Sequence, residues 1–431
     1  MFKILKQLFT KKNKDIRKRV YFTIAALTIF VIGTTIEVPG TQSITKNLGF
    51  LELLNVMGGG ALKNFSIFAL GVSPYITASI ITQLLPSLDF PYLSELAKQG
   101  HTGQQKLNQI TRYVGIVFAF VQGFAMSYAF LGSSYGVLGY LEVALIMTAG
   151  TAFLLWLGDQ VTQKGIGNGI SLFIMAGIIT SLPNMMQTAF TTLVNFGTTK
   201  STVVGISSFA LFILVYLLVI IGVIFVEGAE RRISIQYANK STASLGKQTY
   251  MPIKINSAGV MPVIFASSLL AIPATISQFV NNEKFTNIVN NYLDYTKPIG
   301  FVLFILLIFI FAYFYTFLQM KPDQMAKNLQ DNGGYVPGIR PGDATTKYFS
   351  QVLSRLTIVG ALFLVILSAL PILVNAFTDL PSTVSLGGTG LLIVVGVAIE
   401  TYKQLESSLL SRGYSVNKNN RRARRKWKIL F

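Results

Sequence analysis

Few side chains in this sequence could perform covalent chemistry or hold a metal ion. The chain of 431 residues contains no cysteine, and its one histidine, His101, lies in a polar stretch. Without cysteine there is no thiolate nucleophile and no Cys-based metal site, and a single histidine cannot build a His cluster or a Ser-His-Asp triad. We therefore predict that the protein is not an enzyme and binds no cofactor.

Nucleotide binding and ion coupling are also disfavoured. The stretch GIGNGI at residues 165–170 lacks the last glycine of the GxGxxG fingerprint and precedes an apolar run instead of following a strand, and no GxxxxGK[ST] motif occurs. Ion-coupled transporters commonly bury a carboxylate at mid-membrane. In this sequence the carboxylates beside apolar runs fall near the ends of the runs: Glu37, Glu142, Asp159 and Glu400. Any energy input is predicted to come from a partner.

The apolar runs predict an integral membrane protein. The composition is 52% hydrophobic and 12% charged, far from the roughly 25% charged residues of soluble domains. Ten runs approach the ~20 residues that cross hydrocarbon as a helix, so we predict an all-α polytopic fold with ten transmembrane helices. The runs lie near residues 20–38, 72–88, 110–130, 138–157, 168–188, 204–226, 257–279, 298–318, 355–376 and 386–403.

The basic residues predict the orientation, because short basic loops stay on the cytoplasmic side of a membrane. Most of the 36 Lys and Arg residues fall in the leader, the tail and alternate loops. The opposite side receives only Lys46, Lys63, Lys200, Lys284 and Lys297. We therefore expect both termini in the cytoplasm and attribute the net charge of +19 mostly to this asymmetry.

Ten spans divide into two sets of five, and an odd number of spans inverts the second set relative to the first, as in an inverted repeat. We assign residues 1–19 to a cytoplasmic amphipathic segment, 20–200 to the N-terminal half, 201–403 to the C-terminal half and 404–431 to a basic cytoplasmic tail. An inverted-repeat solute transporter is a less favoured alternative, because the spans carry only scattered amides where a transporter would place substrate-specific polar groups.

One apolar stretch, residues 58–85, is interrupted in a way that a simple span would not be. It opens with three glycines and is cut again at residues 71–74, which end in proline. Because proline disfavours helix at the preceding residue, Ser73 is a predicted hinge. We predict that residues 61–70 form a short half-helix that does not cross the membrane. From the residues alone, a gating element and a re-entrant or interfacial helix are equally favoured.

Two loops on the predicted cytoplasmic face, residues 227–256 and 319–354, are long and of mixed charge. Loops of more than about 12–15 residues are more often functional than incidental. In a chain without an energy source of its own, two such loops on one face predict a docking surface.

Six segments, in chain order, resemble the signature segments of the SecY/Sec61-alpha family, the central channel subunits of the Sec protein translocase. The resemblance extends from about residue 18 to about residue 410. The segments are GGGALKNFSIFALGVSPYITASI, GIGNGIS, EGAERRISIQYA, KINSAGVMPVIFASS, YVPGIRPGDATTKY and GGTGLLIVV.

The resemblance implies a protein-conducting channel that moves unfolded secretory polypeptides across the bacterial cytoplasmic membrane and releases transmembrane segments laterally into lipid. It implies SecE and SecG as partner subunits, the SecA motor ATPase or a translating ribosome as the driving partner, and signal sequences and nascent polypeptides as ligands. An accessory paralogue with restricted cargo is the alternative within the same family.

The resemblance also implies the residues that seal the closed channel. The short half-helix corresponds to a plug, which we call the plug segment: Gly60, Ala61, Leu62, Lys63, Asn64, Phe65, Ser66, Ile67, Phe68, Ala69 and Leu70. An apolar waist corresponds to five residues, which we call the isoleucine ring: Ile76, Ile80, Ile174, Ile264 and Ile393. Such a constriction can gate by dewetting.

Two further sets of residues are implied in the same way. A lateral gate, between the second and third spans on one side and the seventh and eighth on the other, corresponds to Gln122 and Asn256. Interhelical amide hydrogen bonds in membranes contribute only about 0.6 to 2 kcal/mol, which suits a gate that must open. Contact with the motor or the ribosome corresponds to Arg340, Arg231 and Arg232.

Both ends of the chain are basic. The leader MFKILKQLF places apolar residues at helical spacing beside lysines, which predicts contact with anionic lipids. The tail NKNNRRARRKWKILF is predicted to be attracted to the membrane surface, at about 1 kcal/mol per basic residue. Contact with ribosomal RNA is the alternative for the tail.

Overall fold

A computed structural model describes most of the chain, and helices dominate it. The described residues are 13–41, 52–85, 93, 95–96, 99–131, 136–194, 199–237, 249–279, 283–294, 297–377 and 390–409. Each of the ten predicted spans overlaps a helix within these residues. The predicted all-α polytopic class is therefore confirmed.

The helices are numbered here in chain order. They are α1 Lys14–Thr35, α2 Glu52–Met57, α3 Ser73–Leu84, α4 His101–Phe130, α5 Gly136–Lys164, α6 Gly169–Leu193, α7 Thr199–Gly228, α8 Met261–Phe279, α9 Glu283–Ile288, α10 Pro298–Met320, α11 Pro322–Asp331, α12 Asp343–Phe377 and α13, residues 390–409. Among the described residues, α4, α5, α6, α7, α10 and α12 are both long and apolar enough to cross a membrane.

The GIGNGI stretch starts a helix. Asn168 is the N-cap of α6, and its side-chain oxygen accepts hydrogen bonds from the backbone N–H groups of Ile170 and Ser171. This satisfies two of the backbone donors that a helix start leaves unpaired. Gly169 lies against the backbone of Gly158 in α5, where a Cβ atom would overlap the Gly158 carbonyl group. The glycines therefore allow α5 and α6 to pack closely.

One buried apolar cluster joins helices from both predicted halves. It contains Phe30 of α1, Ile76 of α3, Phe173 of α6, Phe265 of α8 and Leu392 of α13. Both α3 and α4 pack against α8, and we call this contact the gate seam. The halves share a core, so parting the gate seam exposes apolar surface of both.

The two predicted docking loops fold together into a small unit that sequence reasoning did not foresee. Its strands are β1 Glu230–Tyr237, β2 Thr249–Lys254 and β3 Gly334–Tyr335. They form an antiparallel sheet in the order β2-β1-β3. Ile233 and Ile235 alternate with exposed residues along β1 and pack with Leu329 of α11 and Phe349 of α12. We call β1, β2, β3 and α11 the sheet unit.

The half-helix predicted over residues 61–70 is wrong in its local structure. Residues 58–72 form successive turns, and the regular short helix, α2, comes before the glycines. Gly59, Gly60 and Phe65 have positive φ angles, which interrupt a right-handed helix. The backbone N–H of Ile67 donates to the carbonyl of Ile36, and Val38 N–H donates to Phe65 O. Pairing with the chain after α1 thus replaces part of the helical hydrogen bonding.

Candidate functional site

The isoleucine ring is brought together in one buried apolar cluster. Its five side chains come from α3, α6, α8 and α13, and each is only 3–5% exposed. Four of them line a single cavity of about 320 Å³: Ile76, Ile174, Ile264 and Ile393. Ile80 lies in the same cluster, outside the lining of this cavity.

The remaining wall of this cavity mixes polar and apolar side chains. Amide side chains face it from four elements or loops: Gln83, Asn168, Asn256 and Gln319. Three charged residues also contribute to the lining: Glu227, Lys254 and Glu400. Apolar residues such as Val260, Phe265 and Ile399 lie among them, so the isoleucine ring borders a cavity of mixed polarity.

Ile76 also lines a second, much smaller space of about 10 Å³ on the side of the plug segment. Met57, Leu70 and Phe173 complete part of that lining. A space of this size holds no more than about one water molecule. Ile76 therefore lies between the larger cavity and the tightly packed plug segment.

The plug segment is almost entirely enclosed. Ala61, Leu62, Phe65, Ser66, Phe68, Ala69 and Leu70 are buried, Gly60, Asn64 and Ile67 are half-buried, and Lys63 is exposed. Leu62 and Phe65 pack with Met126 of α4 and Met147 of α5. The segment is anchored to α2, because the side-chain oxygen of Asn55 accepts a hydrogen bond from Lys63 N–H at 3.0 Å. Sequence reasoning missed this role of Asn55.

Three glycines form the surface against which the plug segment and the end of α2 pack. A Cβ atom at Gly33 of α1 would overlap the ring of Phe68, and one at Gly150 of α5 would overlap the carbonyl oxygen of Ile67. A Cβ atom at Gly177 of α6 would overlap the carbonyl oxygen of Met57. We call Gly33, Gly150 and Gly177 the glycine seat.

The two residues assigned to the lateral gate lie in different elements. Gln122 is half-buried in the C-terminal third of α4, whereas Asn256 is 3% exposed and precedes α8. The Asn256 amide nitrogen donates to Glu227 Oε1 at 2.6 Å and to the Gly259 carbonyl at 3.1 Å. The structure therefore bonds Asn256 to the end of α7 and to its own turn.

Glu227 is the residue of this region that sequence reasoning missed. It is 6% exposed, although it directly follows an apolar run, where a carboxylate is expected to reach water. The available signal was its position: it precedes the basic segment Arg231–Arg232 by only four residues. The other carboxylate of interest here, Asp159 of α5, forms an ion pair with Arg112 of α4.

The three predicted contact arginines all lie on the sheet unit or its adjoining turn, and all are exposed. The Arg232 guanidinium lies 4.8 Å from the ring centroid of Tyr250 in β2. Antiparallel pairing of Gln236 with Tyr335 directs the chain after β3 back along β1, towards the arginines. In the described part of the chain, none of the three arginines has a carboxylate within ion-pairing distance.

The turn that carries Arg340 has a constrained backbone. Gly338 and Gly342 adopt φ angles of +83° and +96°, which favour glycine. The Thr345 hydroxyl at the start of α12 donates to the Arg340 carbonyl at 2.9 Å. The backbone is thus held at both sides of an exposed guanidinium, which can bind a carboxylate bidentately.

The chain is similar to known translocation channels in both sequence and fold. A model of the SecY family matches residues 66–402. A protein translocase subunit SecY from Staphylococcus aureus is 47% identical over 421 residues, which cover 94% of this chain and 96% of the relative.

Two solved structures share the fold. One is a structure of a SecY protein whose plug domain stabilises the closed state of the translocation channel and maintains a membrane seal. Its TM-score is 0.66 at 20% identity, and the match covers 91% of this chain and 92% of that chain. The other, Sec61 in a canine ribosome-channel complex from the endoplasmic reticulum, has a TM-score of 0.63 at the same identity and coverage. Sequence and fold thus point to the same group of proteins.

Proposed function

The chain belongs to the SecY family of protein translocase channels, whose members are not enzymes, and on this premise we propose that its cavity is the path of unfolded secretory polypeptides across the bacterial cytoplasmic membrane. The observation that carries the proposal is that the isoleucine ring borders a cavity that amide and hydroxyl side chains, among them Gln83, Asn168 and Ser171, also line. Amides and hydroxyls can contact many polypeptides without selecting one sequence. Aliphatic side chains can exclude ions by dewetting and still move aside around a passing chain.

The plug segment supplies the second part of the proposed seal. It lies beyond Ile76, enclosed by α1, α4, α5 and α6. Displacing it opens the space beyond the ring, and its return to the glycine seat closes the channel. Its positive φ angle at Phe65 and its buried Ser66 hydroxyl, which has no hydrogen-bond partner among the described residues, both favour a segment that can leave its seat.

Lateral release of transmembrane segments is proposed at the gate seam. Here α3 and α4 meet α8 directly, so parting them connects the cavity with lipid. A signal sequence that inserts between these helices replaces the apolar contact that they lose. Gln122 and Asn256 are the proposed polar residues of this gate.

The sheet unit is the proposed docking surface for the driving partner. Its exposed arginines are the proposed cationic contact, and a carboxylate-bearing surface of the SecA motor or of the ribosome is their proposed complement. SecE and SecG are the proposed partner subunits. Both termini are proposed to be cytoplasmic, and residues 1–12 and 410–431, assigned to contact with anionic lipids, lie outside the described residues.

The two proposed halves, residues 20–200 and 201–403, meet at the gate seam and around the ring. Ile76, Ile80 and Ile174 come from the first half, and Ile264 and Ile393 come from the second. A small outward movement of one half against the other widens the ring and parts the seam together. One movement would therefore open the isoleucine ring and the gate seam together, as a gated channel requires.

Reconstitution tests the proposal. The purified chain, with SecE and SecG in lipid vesicles, should import a secretory precursor when SecA and ATP are added, measured as protection of the precursor from external protease. A precursor without a signal sequence is the control and should remain accessible. Vesicles that take up a small solute but never protect the precursor would instead support the transporter alternative.

A further inference from the structure

Glu227 is a buried charge that the translocation path described above does not explain. It lies at the end of α7 and is 6% exposed; among the described residues no other Asp, Glu, Lys or Arg side chain is buried as deeply. Withdrawing a carboxylate from water is costly unless hydrogen bonds compensate for the lost hydration. The partner of Glu227 therefore indicates why the charge is tolerated there.

That partner is the gate asparagine. Glu227 Oε1 accepts a hydrogen bond of 2.6 Å from Asn256 Nδ2, and the same nitrogen donates to the Gly259 carbonyl at 3.1 Å. An amide nitrogen has two N–H donors, so both are engaged. Next to this contact, Ile255 N–H donates to the Ala229 carbonyl at 3.1 Å. The two hydrogen bonds tie the entry of α8 to the end of α7, at the base of the β1–β2 hairpin.

The segment at Ile255 and Asn256, which these hydrogen bonds join to α7, also packs against α12. Gly360 of α12 lies against it: a Cβ atom there would be 3.1 Å from Ile255 O and 3.4 Å from the Asn256 Cα atom. From Asn256 the chain needs only five residues to reach Met261, where α8 begins. The start of α8 is therefore hydrogen-bonded to the end of α7 and packed against α12.

We propose that Glu227 is a positioning residue of the lateral gate. Its carboxylate holds Asn256 on the α7 side of the gate seam, so a stronger signal sequence is needed to part α3 from α8. The inference rests on the proposed gate function. A hydrogen bond to a charged group is stronger than a neutral one, so the bond to Glu227 restrains α8 more than the local bond to Gly259. Losing it makes the gate easier to open, and weak signal sequences gain most.

The test uses the complete translocase of this chain in vesicles with SecA and ATP. Two precursors differ only in the apolar length of the signal sequence, and the ratio of weak-signal to strong-signal import is measured. Glu227→Ala should raise this ratio roughly tenfold, the change that corresponds to one hydrogen bond to a charged group. Glu227→Gln keeps an acceptor oxygen for Asn256 and should stay within about threefold of wild type. Glu230→Ala, which removes a nearby exposed carboxylate paired with Lys403, is the matched control and should leave the ratio unchanged.

Asn256→Ala removes the same bond from the other side and keeps the test independent of how well Glu227→Ala folds. It should raise the ratio as Glu227→Ala does, and the double variant should equal either single variant. An unchanged ratio in Asn256→Ala, equal losses of weak and strong import in all variants, or additive effects in the double variant would overturn the proposal. If the wild-type complex imports neither precursor, the proposed translocation function itself fails.

Discussion

The plug segment and the sheet unit place the residues proposed to be functional in opposite environments. Ala61, Phe65 and Ser66 are fully buried against helices whose glycines leave room for the backbone, whereas Arg231, Arg232 and Arg340 all face solvent. The first region works by shape, since one added methyl group would collide with its backbone. The second is proposed to work by charge, since its arginines are exposed and none of them has a carboxylate partner among the described residues.

This difference separates two kinds of mutational effect. Exposed charges contribute little to the stability of a fold, so changing an arginine of the sheet unit should alter partner-dependent export and leave the closed channel intact. A close-packed contact couples fit to stability, so changing the glycine seat should alter closure and stability together. The following predictions test this separation.

The largest effect is expected from Arg340→Glu. Reversing the charge leaves a carboxylate of the partner facing another carboxylate, so ATP-dependent export should fall by roughly 100-fold, as when a charged partner is lost from an interface. Arg340→Lys keeps the charge but not the planar fork and should be partly defective. Export is measured with SecA and ATP in vesicles, and membrane insertion and thermal stability should match wild type. Lys327→Glu, which reverses another exposed charge of the sheet unit, on α11, is the control. An equal loss of export in this variant would show that only the total charge of the unit matters.

Removing residues 61–70 should abolish the seal while retaining export. The ends left by the deletion, Gly60 and Gly71, can be joined, because Gly58, only two residues before the cut, lies beside Gly71: a Cβ atom at Gly71 would be 3.9 Å from the Gly58 Cα atom. The transmembrane helices do not need this segment to cross the membrane, although the loss of buried Leu62 and Phe65 should lower the unfolding temperature. Single-channel recording should show raised idle conductance. A deletion that prevents assembly, with normal conductance in the surviving channels, would make the segment structural.

Gly150→Ala should weaken closure without any change in the sequence of the plug segment. The new methyl group displaces the Ile67 carbonyl, and strain of this kind costs about 1–3 kcal/mol. Idle ion leak should rise and the unfolding temperature should fall. Gly222→Ala is the matched control, because a Cβ atom there, on α7, meets no atom within 4 Å. Equal behaviour of the two variants would show that the seat tolerates the methyl group.

The smallest change is expected from single substitutions in the isoleucine ring. Ile80→Asn or Ile393→Asn should hydrate the constriction, since dewetting requires an apolar lining. Leak in planar bilayers should rise less than in the deletion, because the plug segment remains seated. Precursors with weak signal sequences should also be exported more readily. Unchanged leak and unchanged signal stringency in both variants would remove these residues from the gate.

The helical layout was predictable because it depends on local sequence. An apolar run of about 20 residues specifies a transmembrane helix largely by itself, since its backbone hydrogen bonds are internal. The glycine and proline breaks around residues 58–74 likewise predicted that no continuous helix could form there. The family resemblance, confirmed by the sequence and structure matches, rested on ordered segments of the same local kind. The roles of individual site residues remain predictions.

The errors arose where distant segments meet. Residues 61–70 are apolar and free of proline, so their composition favoured a helix, but pairing with the chain at Ile36 and Val38 produced turns. The strands within the predicted docking loops at 227–256 and 319–354 were not foreseen, because β1 and β3 are almost 100 residues apart and a two-residue strand has no pattern of its own. Glu227 was assigned only to the start of the loop 227–256, because its partner, Asn256, lies 29 residues further along the chain.

Composition, run length and the distribution of basic residues were therefore enough to specify a polytopic membrane protein without catalytic groups of its own, because each of these properties acts within a span or its flanks. Tertiary packing decided which isoleucines of four helices share one cluster, which glycines pack against the plug segment, and that Glu227 at the end of α7 accepts a hydrogen bond from Asn256. Those contacts depend on the relative positions of helices far apart in the chain, and residue types alone do not encode such distances.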